Sequence, residues 1–265
     1  MNAWARIIPL SSATRPERLF ERNLMVYRRT WMVIFSGFFE PLFYLVAIGF
    51  GIGSLVGSVA GPDGHLVSYQ VFVAPALLAS SAMNGAIYDS TTNVFFKLKY
   101  SHTYEAILTT PMGTPDVAVG EIAWALFRGT LYAMGFMVVM FVLGLVASPA
   151  WLLALPGSIL IGFAFASVGM ALSTWIRRWS DFDKMQLVLL PMFLFSATFY
   201  PITAYPPALR VLVELTPLYR GVDLLRGLTV GYVGVPQAVD VVYLVVMGLL
   251  GLAVVSRRLD RLLLK

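Results

Sequence analysis

Cysteine is absent from these 265 residues, charged side chains make up only 12%, and histidine occurs twice. The first absence excludes disulfide frameworks and thiolate metal sites. His65 and His102 fall in separate loops, which the topology read below puts on opposite sides of a membrane, so they cannot form a two-histidine metal site within one chain. No Gly-Lys dipeptide occurs, and without one there is no Walker A loop to cradle a nucleotide in the P-loop manner. A paired acidic motif that could serve an integral membrane transferase as catalytic base is also missing.

Apolar side chains are abundant. They make up 58% of the chain, and the mean hydropathy is +0.78. Soluble domains carry roughly 25% charged residues, so this chain has lipid as its solvent. At about 20 residues per crossing, the length allows roughly six spans with short loops and no additional soluble catalytic domain. The apolar runs extend over about Trp31 to Leu55, Tyr69 to Tyr88, Val117 to Leu145, Trp151 to Trp175, Met185 to Phe199 and Val239 to Val255, the fifth being short. The expected organisation is a cytoplasmic N-terminal segment over 1–30, a membrane domain over 31–256 and a basic cytoplasmic tail over 257–265. The first thirty residues lack a continuous apolar run and carry Arg15, Arg18, Arg22, Arg28 and Arg29, so no cleavable signal peptide is expected.

Basic residues orient the spans. One predicted side carries Arg6, Arg15, Arg18, Arg22, Arg28 and Arg29, then Lys97 and Lys99, then Arg177, Arg178 and Lys184, and finally Arg257, Arg258, Arg261 and Lys265. Only Arg210, Arg220 and Arg226 fall on the other, with Arg128 inside a span. Both termini are therefore expected in the cytoplasm. The same asymmetry accounts for the net charge of +5 without nucleic acid, whose readers gather positive charge on one soluble face. Before the first span, Leu19, Phe20, Leu24, Tyr27 and Trp31 recur at near-helical spacing, with Arg18, Glu21, Arg22 and Arg29 mostly on the other side. That pattern predicts an amphipathic helix in the cytoplasmic interface, or else a simple positive-inside anchor.

Three features stand out from the spans. The stretch Phe199-Tyr200-Pro201-Ile202, Pro206-Pro207, Thr216-Pro217 and Arg220 to Arg226, with Asp223 between, is too polar and proline-rich for a plain spanning helix. It is also too apolar for an ordinary loop, and it predicts short helices dipping partway into the bilayer. The loop from Phe95 to Met112 contains Tyr104-Glu105-Ala106-Ile107-Leu108, a short helix stopped near Pro111 that suits a groove on a cytoplasmic partner, or a solvated connector. Within the spans, Glu40, Glu121 and Arg128 are costly in lipid and should face protein or water. Glu121 and Arg128 lie two turns apart on one helix face, and Glu40 is the expected partner of Arg128. Small residues at Gly157, Ser158, Gly162, Ala166, Gly169 and Ser173 predict close helix packing in the fourth span, as do Gly227 and Gly231 ahead of the sixth.

Glu105-Ala106-Ile107-Leu108, Gly120-Glu121-Ile122-Ala123-Trp124-Ala125, Ala164-Phe165-Ala166-Ser167-Val168-Gly169-Met170 and the proline-rich segment ending in Asp223-Leu224-Leu225-Arg226 together resemble the permease subunits of ABC-2 type transporters, in the nodulation-type (NodJ-like) branch. The resemblance runs from Tyr27 through the basic tail. It implies an all-α integral membrane fold like that of type V ABC exporters: six transmembrane helices, an N-terminal amphipathic connecting helix, a coupling helix in the first cytoplasmic loop, and re-entrant helices before the last span. It further implies a permease homodimer in the bacterial inner membrane, in contact with lipid. Two separate ATPase subunits would use ATP and magnesium, and this chain would bind no cofactor and catalyse nothing itself.

Carried onto these residues, coupling to the ATPase falls on Tyr100, Tyr104, Glu105, Ile107 and Leu108. The re-entrant gate falls on Tyr200, Pro201, Pro206, Pro217, Arg220, Asp223 and Arg226. The branch is associated with lipo-oligosaccharide export, and polysaccharides, lipids and drugs are the alternative cargoes. The rival reading of the chain is an ion-coupled secondary transporter using Glu40, Asp89 and Glu121 as proton-linked carboxylates.

Overall fold

A computed structural model describes residues 15–27, 39–61 and 64–263. The first element, α1 (Arg15–Tyr27), carries Pro16 in its first turn, where a missing N–H goes unnoticed. Then come α2 (Phe39–Val56), a two-stranded antiparallel hairpin of β1 (Ser58–Ala60) and β2 (Leu66–Ser68), and α3 (Tyr69–Lys99). The short α4 (Thr103–Leu108) leads into α5 (Thr114–Val142) and α6 (Pro149–Ser173). After α7 (Asp181–Phe195) the chain breaks and continues through α8 (Pro207–Glu214), α9 (Pro217–Val230) and α10 (Val235–Leu263).

Five of these helices are long and apolar enough to cross a membrane among the described residues: α2, α3, α5, α6 and α10. The run expected as the fifth of six spans folds as α7, whose 15 residues rise only about 22 Å against a hydrocarbon core of about 30 Å. Two boundaries also differ from the apolar runs. Helix α3 does not stop at Tyr88 but passes through a π-helical turn, Asp89–Asn93, to Lys99. Helix α10 continues through Arg257, Arg258 and Arg261 to Leu263, so the basic tail is the last turns of a helix. The β-hairpin, in the loop after α2, departs from a purely helical fold.

Helix α6 is the hub of the bundle, packing against α3, α5, α9 and α10. Its small residues permit that. A Cβ on Gly169 would sit 2.3 Å from Ser90 Oγ in the π-turn of α3, and one on Gly251 of α10 would sit 2.8 Å from the backbone of Ser167 and Val168. Helix α1 lies along the start of α5: Leu19 fills the space over Gly120, and the Phe20 ring meets Trp124 and Phe127 edge-on at 5.5 and 5.2 Å. The buried face of α1 is therefore Leu19 and Asn23, while Leu24 is exposed. Trp31 lies outside the described residues, as does the Tyr27 side chain. The bundle's outward faces, including Val138, Phe141, Leu187, Val188, Leu249 and Leu250, are broadly apolar, as lipid-facing surfaces are.

Candidate functional site

The polar side chains singled out in the sequence gather toward the two ends of the bundle, with Asp89 and Arg128 nearer its middle. At one end, α3 and α5 run antiparallel with α4 between them. Asp116 accepts a hydrogen bond from the Gly113 N–H at 2.9 Å and, with Pro115, starts α5. Two turns into that helix, Glu121 accepts from Lys97 Nζ through both carboxylate oxygens, at 2.8 and 2.7 Å. Asn23 of α1 closes the group, donating to Glu121 at 3.4 Å and accepting from Lys97 at 3.2 Å. Lys97, which sequence charge counting puts in a cytoplasmic loop, is buried.

Arg128 points to a different partner from the one expected. Its guanidinium meets Asp89 at 2.6 Å and donates to Tyr132 Oη at 2.8 Å, with all three residues buried. The Glu40 to Arg128 pair is thus replaced by Asp89 to Arg128, while Glu40 is exposed. Burial explains the choice, because a buried guanidinium needs an equally buried carboxylate. From sequence, Asp89 is named only as a proton-linked carboxylate of the rival reading and not as the partner of Arg128, because it opens a polar run, Asp89-Ser90-Thr91-Thr92-Asn93, that looks like the end of a span. Its π-helical turn instead keeps Asp89, Ser90 and Thr91 inside the bundle.

The five residues expected to couple are divided by burial. His102, at φ 49°, turns the chain into α4 and meets Glu105 at 3.1 Å. Glu105 is exposed, as is Tyr100, whose ring stacks on Phe96 at 5.6 Å. Ile107 and Leu108 are half-buried. Tyr104 is wholly buried, its hydroxyl facing Glu121 without closing a well-formed hydrogen bond to it. Burial first, and the nearby carboxylate second, hold that phenol well above its ordinary pKa. The open surface of α4 is therefore centred on Glu105.

At the opposite end the chain is broken after α7. Ala197 takes φ 52°, a left-handed conformation that a residue with a Cβ adopts reluctantly. Arg226 of α9 reaches across to donate to its carbonyl at 2.8 Å and to that of Phe72 at 3.1 Å, lying flat over the Phe72 ring at 3.8 Å. Arg220 pairs with Asp240 of α10 at 3.2 Å, and Asp223 accepts from Gln237 at 3.2 Å. Pro201 precedes a 3-10 turn over Ile202–Ala204, and Pro206 leads into α8. Pro217 opens α9 under a Thr216 cap that accepts from the Tyr219 N–H. The Tyr200 ring lies 4.9 Å from that of Tyr205.

Long apolar helices around buried ion pairs, with no metal-binding cluster among the described residues, define a multi-pass helical membrane protein. The comparisons make the class specific. Residues 17–230 match the ABC-2 type transporter family, and the chain belongs to it. Nodulation protein J of Rhizobium leguminosarum bv. viciae is 32% identical over 249 residues, 92% of this chain and 94% of that protein. Nodulation protein J of Rhizobium meliloti (strain 1021) is 31% identical over 247 residues, covering 91% and 92% of the two chains. That of Azorhizobium caulinodans is 25% identical over 248 residues, 91% of this chain and 96% of its own. Membership makes the chain a membrane component of a transporter and not itself a catalyst.

Proposed function

We propose that this chain is the permease subunit of an ATP-driven exporter, working as a homodimer with two separate ATPase subunits in the inner membrane of a bacterium. The observation that carries the reading is the family match across 17–230, which spans both the α4 end and the α9 end. In this arrangement α7, short as it is, supplies a sixth crossing, and both termini lie in the cytoplasm beside α4. ATP-driven closure of the ATPases pushes on α4 through the surface around Glu105 and tilts the bundle. Helices α8 and α9 dip into the outer leaflet and screen a path at the dimer interface. The cargo is an amphiphile or glycan, with lipo-oligosaccharide, polysaccharide, lipid and drug as the classes to compare.

The rival, an ion-coupled carrier, needs free carboxylates inside the bundle. Asp89 and Glu121 are each committed to a buried cation, which weighs against that use. The deciding experiment is co-purification with the cognate ATPase, followed by Glu105→Ala. Export coupled to ATP hydrolysis should fall in the variant. Transport that persists without any ATPase and collapses with the proton gradient would favour the carrier instead.

A further inference from the structure

Helices α3 and α5 are joined by two buried ion pairs of opposite polarity. Nearer the middle, α3 supplies the anion Asp89 and α5 the cation Arg128; nearer α4, α3 supplies the cation Lys97 and α5 the anion Glu121. Eight residues separate the charges on α3 and seven separate those on α5, so both contacts form at once on antiparallel helices. A slip of two turns either way brings Lys97 against Arg128 or Asp89 against Glu121. Like charges in a low-dielectric interior repel strongly, so the alternation holds a single register.

The outer pair of this ladder does more than join two helices. Glu121 also accepts from Asn23 of α1, so α1, α3 and α5 share one carboxylate, and the wholly buried hydroxyl of Tyr104 of α4 faces it without a well-formed hydrogen bond. A buried lysine–glutamate pair is poor evidence of stabilisation, because removing both charges from water offsets their attraction, and an apolar pair of similar volume packs as well. Its placement under α4 therefore calls for a reason other than stability. We propose that Lys97 and Glu121 are positioning residues that seat α4 on the bundle, so that a push on its open face moves α3 and α5 as one body and carries α1 with them. The proposal deepens the exporter reading and rests on it, since it assigns α4 a partner that pushes.

The test uses the permease reconstituted in lipid with its cognate ATPase, reading ATP turnover that depends on the permease alongside the thermal midpoint of the complex. Wild type must first bind the ATPase and alter its turnover; if it does neither, the exporter reading fails and the proposal goes with it. The double variant Lys97→Met with Glu121→Met keeps volume and removes both charges. It should keep its thermal midpoint and ATPase binding but lose about tenfold in permease-dependent turnover, the size of an ordinary coupling between sites. Full turnover in that folded complex overturns the proposal and leaves the exporter reading standing. The exchanged pair, Lys97→Glu with Glu121→Lys, should recover at least half of the loss. If the double-methionine variant does not fold, the exchanged pair decides on the same readout, and a folded but uncoupled complex overturns the proposal.

Discussion

The α4 end and the α9 end of this bundle both bury charge, but they satisfy it in different ways. Near α4, Lys97 and Arg128 each meet a carboxylate from the neighbouring helix. Near α9, Arg226 meets two backbone carbonyls and the face of a ring. The cause lies in the backbone. Around Asp89 to Lys97 of α3 and Glu121 to Arg128 of α5 the carbonyls are spent within the helices, so the buried cations there turn to side chains. Where the chain breaks after α7, the Ala197 carbonyl is left without a helical partner, and a guanidinium with five donors takes it together with the Phe72 carbonyl in the first turn of α3. The buried cations at the first end set the register of whole helices; at the second, Arg226 mends an interruption, while half-buried Arg220 pairs with Asp240 of α10.

Removing one partner at each end tests this contrast. Asp89→Ala leaves Arg128 buried without its carboxylate and should cost about 3–5 kcal/mol, read as a large fall in the thermal midpoint in detergent. Restoring an acid nearby, in Asp89→Glu, should recover part of it. Arg226→Met keeps the apolar contact with Phe72 but frees the carbonyls of Phe72 and Ala197. It should cost about 1.5–3 kcal/mol, the worth of hydrogen bonds to a charged group. Amide exchange should then rise over residues 196–201 while the α4 end stays protected. If both ends loosen together in either variant, the bundle responds as a single unit and the contrast fails.

The sequence made the two ends unequally legible for the same physical reason. The break near α9 is announced locally, by Pro201, Pro206, Pro207 and Pro217 inside an apolar region, because a broken helix needs residues that cannot continue one. The pairing near α4 joins residues 24 and 39 positions apart and leaves no such local mark. Lys97 counted as a loop charge, and the second span ended at Tyr88, just before Asp89, since five polar residues in a row do not look like the inside of a helix. The matched spacing of opposite charges, Asp89 to Lys97 against Glu121 to Arg128, was the available signal. The hairpin of β1 and β2 was unreadable for another reason, since three-residue strands are too short to show an alternation.

A smaller effect sharpens the comparison through helix starts. Thr216 caps α9 with its side chain, whereas α4 follows His102 without a side-chain cap of its backbone. Thr216→Ala should cost about 1 kcal/mol and fray the first turn of α9, seen as faster exchange at Tyr219. A far larger loss would mean that Thr216 serves the break itself and not only the helix that follows it.

The smallest effect belongs to a half-buried charge at the α4 end, the first residue of α7. Asp181 accepts from Lys184 at 2.7 Å and from the N–H groups of Arg177 and Arg178 at 3.0 and 3.1 Å. The lysine contact first, and the two backbone donors next, hold its carboxyl below the ordinary carboxylate range. A depressed folded-state value means that the contribution is complete above the ordinary range and disappears only as pH falls through the lowered one. The turn should therefore keep its amide protection at mildly acidic pH and lose it under strong acid. Asp181→Ala should lose the protection of Arg177 and Arg178 at every pH while the global midpoint stays in place, because solvent reaches this half-buried carboxylate and replaces what it gave. A shift in that midpoint comparable to the one expected for Asp89→Ala would show that half-buried and fully buried charges at this end act alike, and the α4 end would then owe its order to total charge and not to paired burial.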